Sequence, residues 1–109
     1  MIALDEFDYH HTLAHTGGIA LVLFSSPHCG TCRVVERHLA AGAPAGATLF
    51  RVDVQRATAL ARAFEVFHLP TLLLYRDGAY HARLDCEVTP AALDAAIARA
   101  LALPAQEEP

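Results

Sequence analysis

The stretch Ser25-Ser26-Pro27-His28-Cys29-Gly30-Thr31-Cys32-Arg33 decides how the rest of the chain is read. The apolar run 19–24 leads into it and a helical pattern leads out of it. Two cysteines separated by two residues at a strand-to-helix turn can close a small disulfide ring. They can also put one thiol at a helix N-terminus, where unpaired N–H groups and the helix dipole favour a thiolate. That is the chemistry of thiol–disulfide exchange. Two plainer readings fit the same spacing: an inert buried cysteine pair, and part of a zinc site.

Composition narrows the choice. A chain of 109 residues predicts a single domain. An apolar fraction of 54% supplies a real core and argues against disorder. The formal charge is -4, and all eight basic residues are arginines, so no basic field invites nucleic acid. Three cysteines, an odd count, do not make a disulfide scaffold. The beginning carries Asp5, Glu6 and Asp8 and no basic segment ahead of an apolar run, so it does not read as a signal peptide. No apolar run approaches membrane-spanning length. The expectation is a cytoplasmic monomer that engages neither membrane nor nucleic acid.

Outward from the cysteines, the six apolar residues 19–24 read as a central strand covered on both faces. Before them, 2–4 reads as an edge strand. Residues 5–15 read as a helix with Phe7, and also Leu13 and Ala14, turned inward, stopped by Gly17-Gly18. After the turn, 32–41 reads as a helix carrying Val34, Val35, His38 and Leu39, and 42–46 as a loop. Residues 48–54 should be a strand and 55–64 a helix with Leu60, Ala61 and Phe64 facing the core. A loop at 66–69 reaches Pro70, and 71–75 is a second central strand. Asp77-Gly78 marks a hairpin returning through 79–84. Thr89 caps a last helix with Pro90 in its first turn and Leu93, Ile97, Ala100 and Leu101 as its stripe, ended by Pro104. The order β-α-β-α-β-α-β-β-α predicts an α/β fold, a mixed central sheet with helices on both faces. Residues 1–104 form the expected domain and 105–109 a flexible tail.

With these features in place, the chain resembles the thioredoxin family over nearly its whole length. The resemblance rests on the apolar strand before the turn, Cys29-Gly30-Thr31-Cys32, Val52-Asp53-Val54, Phe64 and Val66, Leu69-Pro70-Thr71, Asp77-Gly78 and the capped last helix. It implies a thioredoxin fold and a protein disulfide reductase or oxidoreductase. Cys29 would attack a substrate disulfide from the mouth of the turn, and Cys32, facing inward, would resolve the mixed disulfide. Gly30 would let the backbone bend, and Thr31 would offer an N–H and a hydroxyl near the thiolate. Pro70 would be a cis proline facing the cysteines. The backbone of Leu69 would then be open to pair with an extended substrate. His68, on the same loop, either lines that groove or points to solvent. The resemblance implies no cofactor beyond the Cys29–Cys32 pair and no metal. Partners would be protein disulfide substrates and a thioredoxin reductase-like or other dithiol recycling partner.

Several residues depart from the family pattern. His28 stands where the family usually has tryptophan, and Ser25 where it has a second aromatic. A protonated His28 beside Cys29 would favour the thiolate; the plainer reading is an exposed histidine. Leu23 stands where the family keeps a buried aspartate that relays protons to the second cysteine, and Arg51 matches that aspartate's basic partner. Cys86 falls in the loop after the last strand, either as a third exchanging thiol or as a small buried side chain. His10, His11 and His15 include a helical four-residue pair but read as surface histidines. Zinc held by His28, Cys29 and Cys32 would lack a fourth ligand.

Two functional classes follow. One is an enzyme exchanging disulfides with protein substrates, acting as a reductant. The alternative is a binding or assembly module that holds a partner protein in the groove near Pro70 with little redox turnover.

Overall fold

The alternation of side chains along the central strand explains its uninterrupted apolar sequence. In the computed structural model of the chain, which describes residues 1–86 and 89–109, β2 (Ile19–Ser25) sends Ala20, Val22 and Phe24 to one face of a sheet and Leu21 and Leu23 to the other. Both faces are covered, so the positions from 19 to 24 are all apolar. The first layer holds α1 (Tyr9–Ala14) and α3 (Thr58–Ala63), with Tyr9, Leu13, Leu60 and Phe64 in its core. The second holds α2 (Gly30–Ala41) and α4 (Pro90–Ala102), with Val35, Leu39, Leu93 and Ile97.

The five-stranded sheet has the order β1-β3-β2-β4-β5, where β1 is Ile2–Leu4, β3 Thr48–Asp53, β4 Thr71–Arg76 and β5 Ala79–Leu84. Strands β1, β3 and β2 run parallel, joined through helices, and β4 and β5 are antiparallel. This is the mixed α/β sheet with helices on both faces that the element order predicts. The hairpin between β4 and β5 has positive φ at Asp77 and Gly78 (49° and 83°), as a two-residue turn of the primed kind requires. A Cβ on Gly78 would lie 2.5 Å from the carbonyl oxygen of Ala14, so this turn also fits tightly against the end of α1. Asp77 locks the contact by accepting the Gly18 N–H at 2.8 Å and donating its own N–H to the Gly18 carbonyl.

Differences from the sequence expectation lie at helix starts, where local side chains compete for the backbone. Phe7 does not turn inward; it is 95% exposed. One carboxylate oxygen of Asp5 accepts the N–H groups of Phe7 and Asp8, holding a turn there and delaying the helix to Tyr9. Tyr9 takes the inward place and is fully buried. Ala14 is exposed, and only Leu13 of that pair packs inward. Asp53 plays a similar part before α3. Its side chain accepts the Gln55 N–H and its carbonyl those of Arg56 and Ala57, so α3 starts at Thr58 rather than at residue 55. In α2, Val34 points outward while Val35 and Leu39 face the sheet. Beyond α4, Gln106 hydrogen-bonds to β5: its N–H donates to the His81 carbonyl at 2.7 Å and its side-chain oxygen accepts the Arg83 N–H at 3.0 Å.

Candidate active site

Strand β2 ends at Ser25, and four residues, 26–29, separate it from α2. The turn is fastened by the Cys29 N–H donating to the Ser26 carbonyl (3.1 Å), the His28 N–H donating to Ser26 Oγ (3.2 Å) and the Arg33 guanidinium donating to the Pro27 carbonyl (2.8 Å). Cys29 is the N-cap of α2, and its sulfur accepts the Cys32 N–H at 3.1 Å. This capping starts the helix at Gly30, two residues before the position read from the pattern. Cys29 and Cys32 are disulfide-bonded, with Cα atoms 5.2 Å apart. Their environments differ: Cys29 is half-buried, whereas Cys32 is 1% exposed.

Gly30 is the first residue of α2, without positive φ, and a Cβ on it would meet open space, so backbone geometry does not require glycine there. Thr31 and His28 are exposed beside the cysteines. The helix N–H that reaches Cys29 Sγ is that of Cys32.

The sheet register brings the second sequence signal to the same end of the molecule. Phe24 pairs with Thr71, so the residues before β4 lie alongside the exit of β2. The Leu69–Pro70 bond is cis, and both residues are half-buried. The His68 side chain is exposed, and its carbonyl accepts the Thr71 hydroxyl at 2.8 Å. Leu72 pairs with Leu84, which brings Cys86, just past β5, to this end too. Cys86 is a free, half-buried thiol packed against the α2–α4 layer. Burial pushes its pKa up, the neighbouring Asp85 adds to the rise and Arg99 partly opposes it. That thiol is held away from the reactive form.

Leu23 is fully buried behind the turn, in register with Arg51 on β3 and Leu72 on β4. Arg51 reaches across to Glu36 of α2 at 3.7 Å. These two residues, with Ser25, Ser26, Pro27 and Arg33, line an open cleft of about 710 Å³ beside the turn. Among the described residues no group of three histidine, cysteine or acidic side chains lies close enough together to hold a metal ion. His11 and His15 do meet, with ring centroids 4.4 Å apart, but His15 Nδ1 is engaged with the His11 carbonyl. No described helix is long and apolar enough to cross a membrane.

Two residues of this end escaped the sequence reading. Phe67, on the loop before Pro70, is 81% exposed, and an aromatic residue three positions before that proline was the available signal. Glu36 sits four residues after Cys32, which on a helix is the same face.

Comparison with known proteins agrees with this arrangement. A family model described as Thioredoxin matches residues 1–99. An H-type thioredoxin of Oryza sativa subsp. indica is 35% identical over 78 residues, 69% of this chain and 64% of that protein. A thioredoxin of Staphylococcus aureus is 33% identical over 64 residues, 56% of this chain and 62% of that protein. The chain therefore matches less than two thirds of the length of these relatives. Among solved structures, mitochondrial thioredoxin 3 of Saccharomyces cerevisiae in its oxidised form superposes with a TM-score of 0.73 at 21% identity, covering 91% of this chain and 94% of that one. Human ERp44 in a zinc-bound form gives 0.72 at 19% identity, over 91% of this chain and 31% of that one. At these identities the two structures speak for the fold.

Proposed function

We propose that this chain, which belongs to the thioredoxin family, is a reductant of protein disulfides that works through Cys29 and Cys32. The observation that carries the proposal is the asymmetry of the pair: Cys29 caps α2 and is partly open to solvent, while Cys32 is buried one turn in. In the reduced protein, the N–H groups of the first turn and the dipole of a 12-residue helix favour a thiolate at Cys29. That thiolate attacks one sulfur of a substrate disulfide, forming a mixed disulfide and releasing the first substrate thiolate. Cys32 then attacks the Cys29 sulfur. The Cys29–Cys32 disulfide forms, and the second substrate thiol leaves. Two protein thiols are oxidised and one substrate disulfide is reduced. A dithiol reductant, in the cytoplasm a reductase-like partner, resets the pair.

The substrate's extended chain lies along Leu69, whose backbone offers β-type hydrogen bonds. Phe67 supplies the aromatic surface that His28 and Ser25 do not. His28, protonated, favours the Cys29 thiolate. The second reading, a holding module with little turnover, draws on one observation: the residue buried behind the turn at position 23 is a leucine, which cannot ionise.

The test is dithiothreitol-driven reduction of insulin, together with trapping. The Cys32→Ser variant should accumulate a mixed disulfide with substrate and the Cys29→Ser variant should not. Trapping only in Cys29→Ser reverses the assignment of attacker, and binding without turnover supports the holding module. A redox titration gives the direction, since reductants of this fold lie near roughly −270 mV and strong oxidants near roughly −120 mV.

A further inference from the structure

We propose that Glu36, which lines an open cleft together with Arg51, is the group that takes the proton from Cys32 when the mixed disulfide is resolved. The inference rests on the reading of Cys32 as the resolving thiol. It starts from a chemical requirement: a thiol attacks a disulfide only as its thiolate, and Cys32 is 1% exposed. Its proton needs an acceptor near the helix start. The β-strand residue behind the turn, Leu23, offers none.

Glu36 meets the requirement by position. It follows Cys32 by four residues in α2, so the two side chains project from the same face, one turn apart. Leu23 and Arg51 are register partners in parallel strands and so share a face of the sheet, the face that α2 covers. Arg51 crosses to Glu36 at 3.7 Å. The pair is held between core and solvent, with side chains 30% (Glu36) and 42% (Arg51) exposed, so a proton received there can pass to bulk water.

The other charged groups lining the cleft are Arg33 on the same helix, Arg51 and Asp53 on β3, Arg56 after it and Asp5 beyond β1. Asp53 and Asp5 already accept backbone N–H groups in their own turns, and neither lies on the helix that carries Cys32. The arginines balance the carboxylates and cannot accept a proton at working pH. Glu36 is thus the carboxylate on the Cys32 helix, facing a cation and open to water.

The step balances as follows. The Cys32 S–H proton passes through water to the Glu36 carboxylate. The thiolate attacks Cys29 Sγ, the bond from Cys29 to the substrate sulfur breaks, and its electron pair leaves on that sulfur. The substrate sulfur takes a proton from solvent, and Glu36 returns its own proton to the cleft.

The experiment uses the reduced full chain with Cys86 replaced by Ser, so that only the pair reports, and 5,5′-dithiobis(2-nitrobenzoate) as the disulfide. Attack by Cys29 releases the first thionitrobenzoate and attack by Cys32 the second, and stopped-flow absorbance separates the two across pH 5–9. In Glu36→Gln the second phase should slow by about 10-fold or more near neutrality, with the first phase unchanged and the pH profile of the second phase altered. Glu36→Asp should recover most of the rate. Arg51→Gln, which keeps the carboxylate, should keep the second phase. An unchanged second phase and pH profile in Glu36→Gln would overturn the assignment of Glu36. If Glu36→Gln fails to fold, a second phase as fast as the parent's in Glu36→Ala overturns it instead. Absence of any second phase in the parent protein would overturn the Cys32 reading itself, a different failure.

Discussion

Replacing Leu23 by aspartate should make the protein less stable and its second cysteine faster. The side chain is fully buried in the layer under α2 and α4, flanked in register by Arg51 and Leu72. Losing a buried leucine's transfer free energy costs about 2 kcal/mol. Burying a carboxyl without a designed partner costs about 2 kcal/mol more on the scale of protein mutations. The sum, about 4 kcal/mol, is a large part of the roughly 5–15 kcal/mol that holds a domain together. The variant should still fold but unfold at clearly lower urea. The penalty has a pH signature. Burial raises the native pKa of the new carboxyl above its unfolded value near 3.9. The folded state then holds the proton longer, so the loss grows as pH rises from about 4 to the raised native value and is complete above it. Urea melts of the oxidised variant should therefore show a smaller deficit at pH 5 than at pH 8. In the reduced protein the carboxylate, now beside the turn, can accept the Cys32 proton, and stopped-flow resolution of a peptide mixed disulfide should quicken with a new inflection near neutrality. Unchanged stability would mean that Leu23 is not in the core and that the strand register is wrong. A stability loss with an unchanged rate–pH profile would show that proton transfer does not limit resolution.

Phe67→Ala should raise KM for a protein disulfide roughly 10-fold, the loss of one aromatic anchor, and leave reduction of a small aromatic disulfide unchanged. Equal effects on both substrates would place Phe67 outside the docking surface. Gly78→Ala should destabilise by about 2 kcal/mol or more, because it combines positive φ with a backbone clash at Ala14; a urea midpoint within error of the parent would refute the packing of the hairpin on α1. The Tyr9 and Tyr75 hydroxyls are hydrogen-bonded at 2.9 Å in the core, and burial, above all, raises both phenols well beyond their usual range. A raised native pKa gives stability that is present below the unfolded value of about 10 and lost as pH climbs past it. The urea midpoint should thus fall above pH 10, and Tyr9→Phe, costing about 1 kcal/mol at neutrality, should flatten that fall. An equally steep fall in Tyr9→Phe would show that this tyrosine is not responsible.

Much of the molecule could be read from its residues because one cause dominated at each place. The run Ile19 to Phe24 has no polar residue to choose a face, which is itself the mark of a strand covered twice. Asp77-Gly78 admits few backbone conformations besides the turn observed. The starts of α1 and α3 were not legible for the opposite reason. Asp5 and Asp53 can either begin a helix or cap a turn, and tertiary contacts decide: the Glu6 carboxylate accepts the Ala59 N–H across the two segments at 3.3 Å. Phe7 looked like a core residue by type, and only the turn at Asp5 sends it outward. At the active site, the two cysteines were visible by spacing. Glu36 and Arg51 were not visible as a pair, because they are fifteen positions apart and meet only once β3 is laid beside β2 under α2.

That pairing suggests why a leucine behind the redox turn is compatible with exchange chemistry. A carboxylate at position 23 would sit where water does not reach, and its desolvation would work against the fold throughout the protein's life, whether or not a substrate is present. A carboxylate at position 36 rests at the edge of the cleft, partly hydrated and beside a guanidinium, where an ion pair contributes little stability but costs little desolvation. On the proposed reading, the proton acceptor has moved from the strand beneath Cys32 to the helix that carries it. The proton then travels farther, through solvent, so resolution should be slower than with a buried acceptor and should respond to ionic strength, because the Glu36–Arg51 pair is open to screening. The core under α2, relieved of a charge, can be packed with Leu21, Leu23 and Leu72 against Val35 and Leu39 without a polar atom to satisfy. On this reading the residue at position 23 serves stability and Glu36 serves the resolving step.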